Sequence, residues 1–378
     1  MHVLVAPDRF GTALSAAQVA TAMADGWAVG APADVLDIAP LGDGGPGMVE
    51  AVHRAVGGEL VPRTILGVGG TPLPVVLVLL DDGTVVVEVA QVLGRAMVPG
   101  GAPTGSLPAA ALLDAALDLG PRRLVVGVGG LAAHDAGSGL LAGLGLPSAA
   151  LRGGGAALPG LVAEDLAGLA ELDAAVGDRW SGVDVVVAVD TEVPLLGLHG
   201  ASALLSVPDA TVLRVEASEA QQLERAFGHW VHLMGGALGP GRVRAAATAY
   251  GAGAGGGLAF ALALLGARTV PGAEVMADLV GLRARVAHAD LVLTATTVLD
   301  PHVLHDSAVA TCSALAAQDA LPTVVVTGES VLGRREWAAQ GLSGVYALAD
   351  GSIGWQDVVD PASALRDRTT RVARTWSR

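Results

Sequence analysis

The period of the apolar positions changes along the chain, and each change predicts an element. Val3-Leu4-Val5-Ala6 is a short apolar run of the kind that forms a buried strand. Ser15, with Gln18 three residues on, has the side chains of an N-cap and capping box. Ala16, Val19, Ala20, Met23 and Trp27 then share one helical face, until Gly30 and Pro32 end the run. Residues 34–38 predict a second strand, followed by the loop Leu41-Gly42-Asp43-Gly44-Gly45 and a helix over 47–56. Strand, loop and helix in repetition predict a parallel α/β sheet.

The pattern then shifts. Residues 64–66, 75–80 and 84–90 read as strands, the last two joined by the hairpin signal Asp81-Asp82-Gly83. This is antiparallel material of a second domain. A helix over 108–119 and a strand over 123–128 return to the α/β pattern. A strand follows over 183–189, then a helix over 216–234 with Leu223, Ala226, Phe227 and Trp230 on one side. Residues 258–265 and 275–287 predict helices; 291–294, 323–327 and 344–348 predict the last strands. The Gly- and Ala-rich stretch 151–172 has no assigned element. The expected division is 1–56 with 104–150 and 272–378 in one domain, and 57–103 with 151–271 in a second domain inserted into it.

Composition narrows the function classes. The chain has 378 residues, 52% hydrophobic and 16% charged, which supplies a core and argues against disorder. All 22 basic residues are Arg, so a P-loop that needs Lys is excluded. The net charge of −15, with no basic patch, argues against a nucleic-acid or anionic-membrane partner. A lone Cys312 and a start, Met1-His2-Val3-Leu4-Val5, unlike a signal peptide predict a cytoplasmic location. The uncharged 23-residue stretch 245–267 is long enough for a membrane span. Its six glycines favour a buried Gly-rich loop leading into a core helix.

Candidate chemistry gathers where predicted strands end, which is where ligands bind in open α/β sheets. Asp8 follows the first strand and Asp43 the second. Gly129-Gly130 closes the strand at 123–128, with His134-Asp135 beyond it. Asp190 ends the strand at 183–189, and Asp300 lies a few residues past 291–294. Acids so placed suit Mg²⁺ and a phosphoryl acceptor, although a single Asp in such a loop is commonly a helix cap or turn former. Gly251-Ala252-Gly253-Ala254-Gly255-Gly256 satisfies G-x-G-x-x-G but lacks the flanking strand and acid of a dinucleotide site. It reads either as an anion-binding loop at a helix start or as tight packing. His302, His305 and Asp306 could be read as a metal cluster, but the His pair is spaced i, i+3 without the Glu of a zinc helix, and a polar loop fits them better. Nucleophilic catalysis lacks support, because Cys312 has no local partner and no G-x-S-x-G occurs.

These residues resemble a family over nearly the whole chain, the bacterial glycerate kinases. Val5-Ala6-Pro7-Asp8-Arg9-Phe10 with Leu14-Ser15-Ala16 is similar to the family's Ala-Pro-Asp-Ser-Phe-Lys-Gly-Ser-Leu-Ser-Ala. Gly42-Asp43-Gly44-Gly45-Pro46-Gly47 resembles its Ala-Asp-Gly-Gly-Glu-Gly. The segment from Gly129-Gly130 to His134-Asp135-Ala136-Gly137 resembles its Gly-Gly-Ser-Ala-Thr-Asn-Asp-Gly-Gly. Asp190 with Pro194-Leu195, the loop 251–256 and Leu299-Asp300 continue the match in order. The resemblance implies a flavodoxin/Rossmann-like parallel-sheet domain with a second mixed α/β domain inserted, and a cleft between them. It implies ATP-dependent phosphorylation of D-glycerate to a phosphoglycerate with Mg²⁺. On that reading Asp8, Asp190 and Asp300 are catalytic. Asp43, Gly44, Gly45, Gly129, Gly130, Asp135, Gly251, Gly253, Gly255 and Gly256 approach substrate or phosphate.

The departures from the family pattern remove cations. Gly11 replaces its first-loop Lys, and Asp306-Ser307 its later Gly-Lys. The run around 205–210 replaces its Phe-Gly-Pro-Gln-Lys-Gly. His134 and Val193 replace two Asn, and Ala295-Thr296-Thr297 its Gly-Glu-Gly. Phosphoryl transfer depends on charge stabilisation, so such losses are costly. The alternative is therefore a catalytically weak or inactive paralogue that binds a small molecule or a protein. Arg9 is a possible substitute for the first Lys, but an extended loop is expected to point its side chain the other way.

Overall fold

The computed structural model describes residues 1–98, 103–206, 215–305, 307–349 and 354–377. Its strands in chain order are β1 (His2–Val5), β2 (Val35–Ile38), β3 (Glu59–Leu66), β4 (Pro72–Leu79), β5 (Thr84–Glu88) and β6 (Arg123–Gly127). β7 (Asp184–Val189), β8 (Arg268–Pro271), β9 (Leu291–Leu299), β10 (Thr323–Ser330) and β11 (Leu342–Ala347) follow. The chain forms two compact units. The first holds Met1–Asp43, Glu50–Gly57 and Ala273–Arg378; the second holds Gly44–Val49 and Gly58–Gly272.

The first unit contains a five-stranded sheet ordered β11-β10-β9-β1-β2, parallel throughout. Renumbered within the sheet this is the 2-1-3-4-5 order of flavodoxin-like folds, whose switch point lies between the first and third strands, here β1 and β9. Val3, Val5, Leu291, Leu293, Val324 and Val326 are fully buried. The helix Ala16–Gly30 begins with the capping box read from the sequence: Ser15 Oγ accepts from Gln18 N, and Gln18 Oε1 from Ser15 N. Its apolar face, with Met23 and Trp27 at 0% exposure, enters the core beside Leu365 and Val372 of the C-terminal helix Pro361–Trp376. The two helices approach closely: a Cβ on Gly26 would lie 2.3 Å from the Arg366 carbonyl oxygen.

The second unit contains a six-stranded mixed sheet, β3-β4-β5-β6-β7-β8. β3–β4 and β4–β5 are antiparallel, and β5 to β8 run parallel. β3 begins five residues before the expected strand and runs through Pro62. That is tolerated because β3 is an edge strand, where a missing N–H breaks no ladder. Residues 104–150 were expected in the first domain. They belong to the second unit because β6 hydrogen-bonds between β5 and β7. The helix expected over 275–287 is two, Gly272–Leu279 and Leu282–Val286, separated at Gly281 by a left-handed turn. The apolar stretch 245–267 ends as the buried helix Ala254–Leu264. Among the described residues, no helix is long and apolar enough to cross a membrane.

Candidate functional site

In the first unit, the carboxyl ends of β1 and β2 bring ionisable groups together. After β1, Asp8 N–H donates to Ala295 O of β9 at 3.0 Å, so the loop leaves along the switch point. Asp8 Oδ1 accepts from Arg9 N at 2.7 Å. The Arg9 guanidinium turns to Asp43, with Nη2 3.3 Å from Oδ2, each side chain 27% exposed. The expectation that Arg9 points away thus fails. The turn at Gly11, with φ +51°, lets its N–H reach Thr297 Oγ1 at 2.7 Å. The same hydroxyl donates to Arg9 O at 3.3 Å and pins the loop to β9. Trp355 packs edge-on to Phe10 with ring centroids 6.1 Å apart, beside the turn at Gly11. Trp355 and the anchoring role of Thr297 were not read from the sequence, because each acts through a contact more than 280 residues away in the chain.

Burial, first, and the nearby Asp43 charge push the Asp8 carboxyl up to about 7, against the opposing pull of the Arg9 N–H and guanidinium. Cys312 lies close by with its Sγ 3.7 Å from Ala6 O. Burial pushes its thiol up to about 12, so it is inert as a nucleophile. Asp300 sits one residue past β9, on the same sheet edge as Asp8, and accepts the Val303 N–H at 2.9 Å as a turn former. His302 and His305 form a turn, with His305 N donating to His302 O. Asp306 and residues 207–210 lie outside the described residues.

The chain passes into the second unit at the Asp43–Gly44 bond, and the bends there are knitted backbone to backbone. Gly129 N–H donates to Gly44 O at 3.0 Å. A Cβ on Gly44, at φ +86°, would meet Ala188 O at 2.7 Å; one on Gly129 would meet Gly45 Cα at 2.7 Å. Asp190 ends β7 and accepts the Gly130 N–H at 2.9 Å. Asp135 is completely buried. Its Oδ2 accepts from Ser106 N, Ser106 Oγ and Gly139 N, and its Oδ1 from Gly137 N, all within 2.8–3.0 Å. Burial raises its pKa while these donors pull it down. Asp135 therefore staples the start of the helix Ser138–Gly143. The glycine loop is equally occupied: Gly251, Gly255 and Gly256 have left-handed φ. A Cβ on Gly256 would lie 1.9 Å from Ala133 O, and one on Gly253 2.5 Å from Pro194 O. His134 stacks on Phe227, centroids 4.7 Å apart, and Nε2 lies 3.1 Å from Ser202 Oγ. Burial lowers its pKa to about 4, so it is neutral at pH 7.

The residues at the first unit's edge can bind a cation or take a proton. Among the described residues, no group of three or more His, Cys, Asp or Glu converges to hold a metal by itself.

Known proteins match the chain over nearly its whole length. The model of the glycerate kinase family matches residues 3–377. A glycerate kinase of Bacillus subtilis is 28% identical, covering 98% of this chain and 96% of its own. A glycerate 2-kinase of Escherichia coli is 28% identical over 81% of this chain and 79% of its own. The crystal structure of a putative glycerate kinase 2 from Salmonella typhimurium LT2 superposes with a TM-score of 0.75 at 28% identity, covering 99% of this chain and 96% of that one. A match over the whole length, in sequence and in fold, makes this chain a member of the glycerate kinase family.

Proposed function

We propose that the protein phosphorylates D-glycerate to a phosphoglycerate with ATP and Mg²⁺. The observation that carries this reading is the Asp8–Arg9–Asp43 cluster at the switch point of a flavodoxin-ordered sheet, in a chain of this family. Asp8 takes the proton of the acceptor hydroxyl, a role for a carboxylate within hydrogen-bond reach of that group. Arg9 stands in for the family's first-loop Lys: its guanidinium is a fixed cation for carboxylate or phosphate oxygens, steadied by Asp43. Asp43 holds Mg²⁺, which when bound neutralises charge on the phosphate oxygens. Asp300 shapes the loop after β9, and in the second unit Asp190 holds the bend at Gly130 through its N–H.

The absent lysines favour a second reading, a weak or inactive paralogue that binds a small molecule or a protein partner. An ADP-release assay with D-glycerate, ATP and Mg²⁺ separates the two. Turnover that disappears in Asp8→Asn is expected. No turnover, with no nucleotide-induced rise in thermal midpoint, selects the second reading.

A further inference from the structure

The segment that leaves Asp190 has a second use in the second unit. It runs on through Val193, whose carbonyl accepts the Gly253 N–H at 2.9 Å, and Pro194, whose carbonyl accepts the Ala201 N–H at 3.0 Å. Pro194 and Leu196 then form one wall of a groove of about 760 Å³. Val231 and Val243 line it too, from the helices Ala217–Leu238 and Pro240–Ala247. That volume is in the range of small-molecule sites, about 300–1,000 Å³, and the lining is mainly apolar with a few polar groups, as such sites are.

Two features identify the occupant. Gly235 and Gly236 leave a stretch of helix bare: a Cβ on Gly236 would meet nothing within 4 Å, and one on Gly235 only Pro240 Cα at 3.7 Å. A flat ring can lie against such a surface between aliphatic walls. The rim is polar, with His232, Thr248 and Arg244. No Asp or Glu lines the groove, and among the described residues no carboxylate pairs with Arg244. In a chain of net charge −15, a cation without a counter-charge beside an apolar slot matches a ligand with a flat apolar part and an anionic tail.

We infer that this groove holds the base of an adenine nucleotide, with Arg244 meeting its ribose-phosphate side. The inference rests on the kinase reading for the identity of the nucleotide. It adds a location, reached from Asp190 within six residues of chain, and a mode of recognition that uses aliphatic side chains. The chain has only six Trp, two Tyr and three Phe, and none of them lines the groove.

Calorimetric titration of MgATP and, separately, of adenosine tests it. Gly236→Trp fills the groove from a helical position with open space, and is expected to weaken both ligands about tenfold or more. Arg244→Ala, at an exposed position that leaves folding alone, is expected to weaken MgATP about fivefold and leave adenosine unchanged. Wild-type affinity for MgATP in both variants overturns the inference, and so does failure of the wild type to bind adenosine. The two proposals fail separately. Glycerate turnover with an unaltered KM for ATP in both variants removes the groove and keeps the kinase. Adenosine binding lost in Gly236→Trp, without glycerate turnover in the wild type, removes the kinase and keeps the groove.

Discussion

The sheet edges of the two units treat their carboxylates in opposite ways. At the edge of the five-stranded sheet, Asp8 faces a second carboxylate and one guanidinium, and burial holds its pKa near neutrality. At the edge of the six-stranded sheet, Asp135 takes four donors, two from Ser106 and one each from Gly137 and Gly139, and is wholly buried. Both aspartates follow strands and have a glycine two or three residues on, so sequence spacing puts them in one class. Satisfaction of the carboxylate divides them. A group with every acceptor site filled holds structure, while a desolvated carboxyl facing like charge is under electrostatic strain that a proton, cation or substrate can relieve.

The largest expected effect tests the reactive side. Asp8→Asn should lower kcat for glycerate phosphorylation by about 10³-fold or more, in the range of general-base losses. A loss below about tenfold would remove Asp8 from the chemistry. Asp135→Ala tests the structural side. It strands the donors of Ser106, Gly137 and Gly139 in the core, at about 1–3 kcal/mol each, so a loss of about 4 kcal/mol or more is expected in urea unfolding. A loss under about 1 kcal/mol would dissolve the contrast.

The pH dependence of stability sharpens it, because the two units carry opposite signs. The Asp8 carboxyl is raised from 3.8 to about 7, so the folded state binds its proton more tightly. Stability from this group is complete below about 4 and declines as pH rises to 7, by at most about 4 kcal/mol. Asp8→Asn should flatten that decline. His134 is lowered from 6.5 to about 4, so the unfolded state binds its proton more tightly. Its contribution is complete above 6.5 and declines as pH falls to 4, by at most about 3 kcal/mol. His134→Asn should flatten the acid side, read from unfolding midpoints between pH 4 and 8. The smallest effect concerns Arg9. Arg9→Ala should lower kcat/KM about 10- to 100-fold, with Arg9→Lys recovering part of it. An unchanged kcat/KM would show that the guanidinium only pairs with Asp43.

Much of the fold was legible, for local reasons. The Ser15–Gln18 capping box and the face from Ala16 to Trp27 depend on residues within one or two turns. So do the apolar strand at Val3 and the turn at Asp81-Asp82-Gly83. Assignment of residues 104–150 was not legible, because β6 has the same apolar run in either sheet and only its pairing with β5 and β7 decides. The candidate site was legible as a set of residue types after strands. The division of labour among Asp8, Asp135 and Asp300 was not, since each depends on which N–H groups surround the carboxylate.

The sequence by itself determined the α/β class, the strand-end positions of the acids and glycines, and the absence of Lys from the whole chain. These follow from periodicity, turn chemistry and composition, which are local or additive. The tertiary structure alone decided that Arg9 turns to Asp43, that Thr297 anchors the first loop, and that the glycine bends carry close backbone packing. Those outcomes depend on which segments distant in sequence become neighbours, and burial and charge act over distances in space.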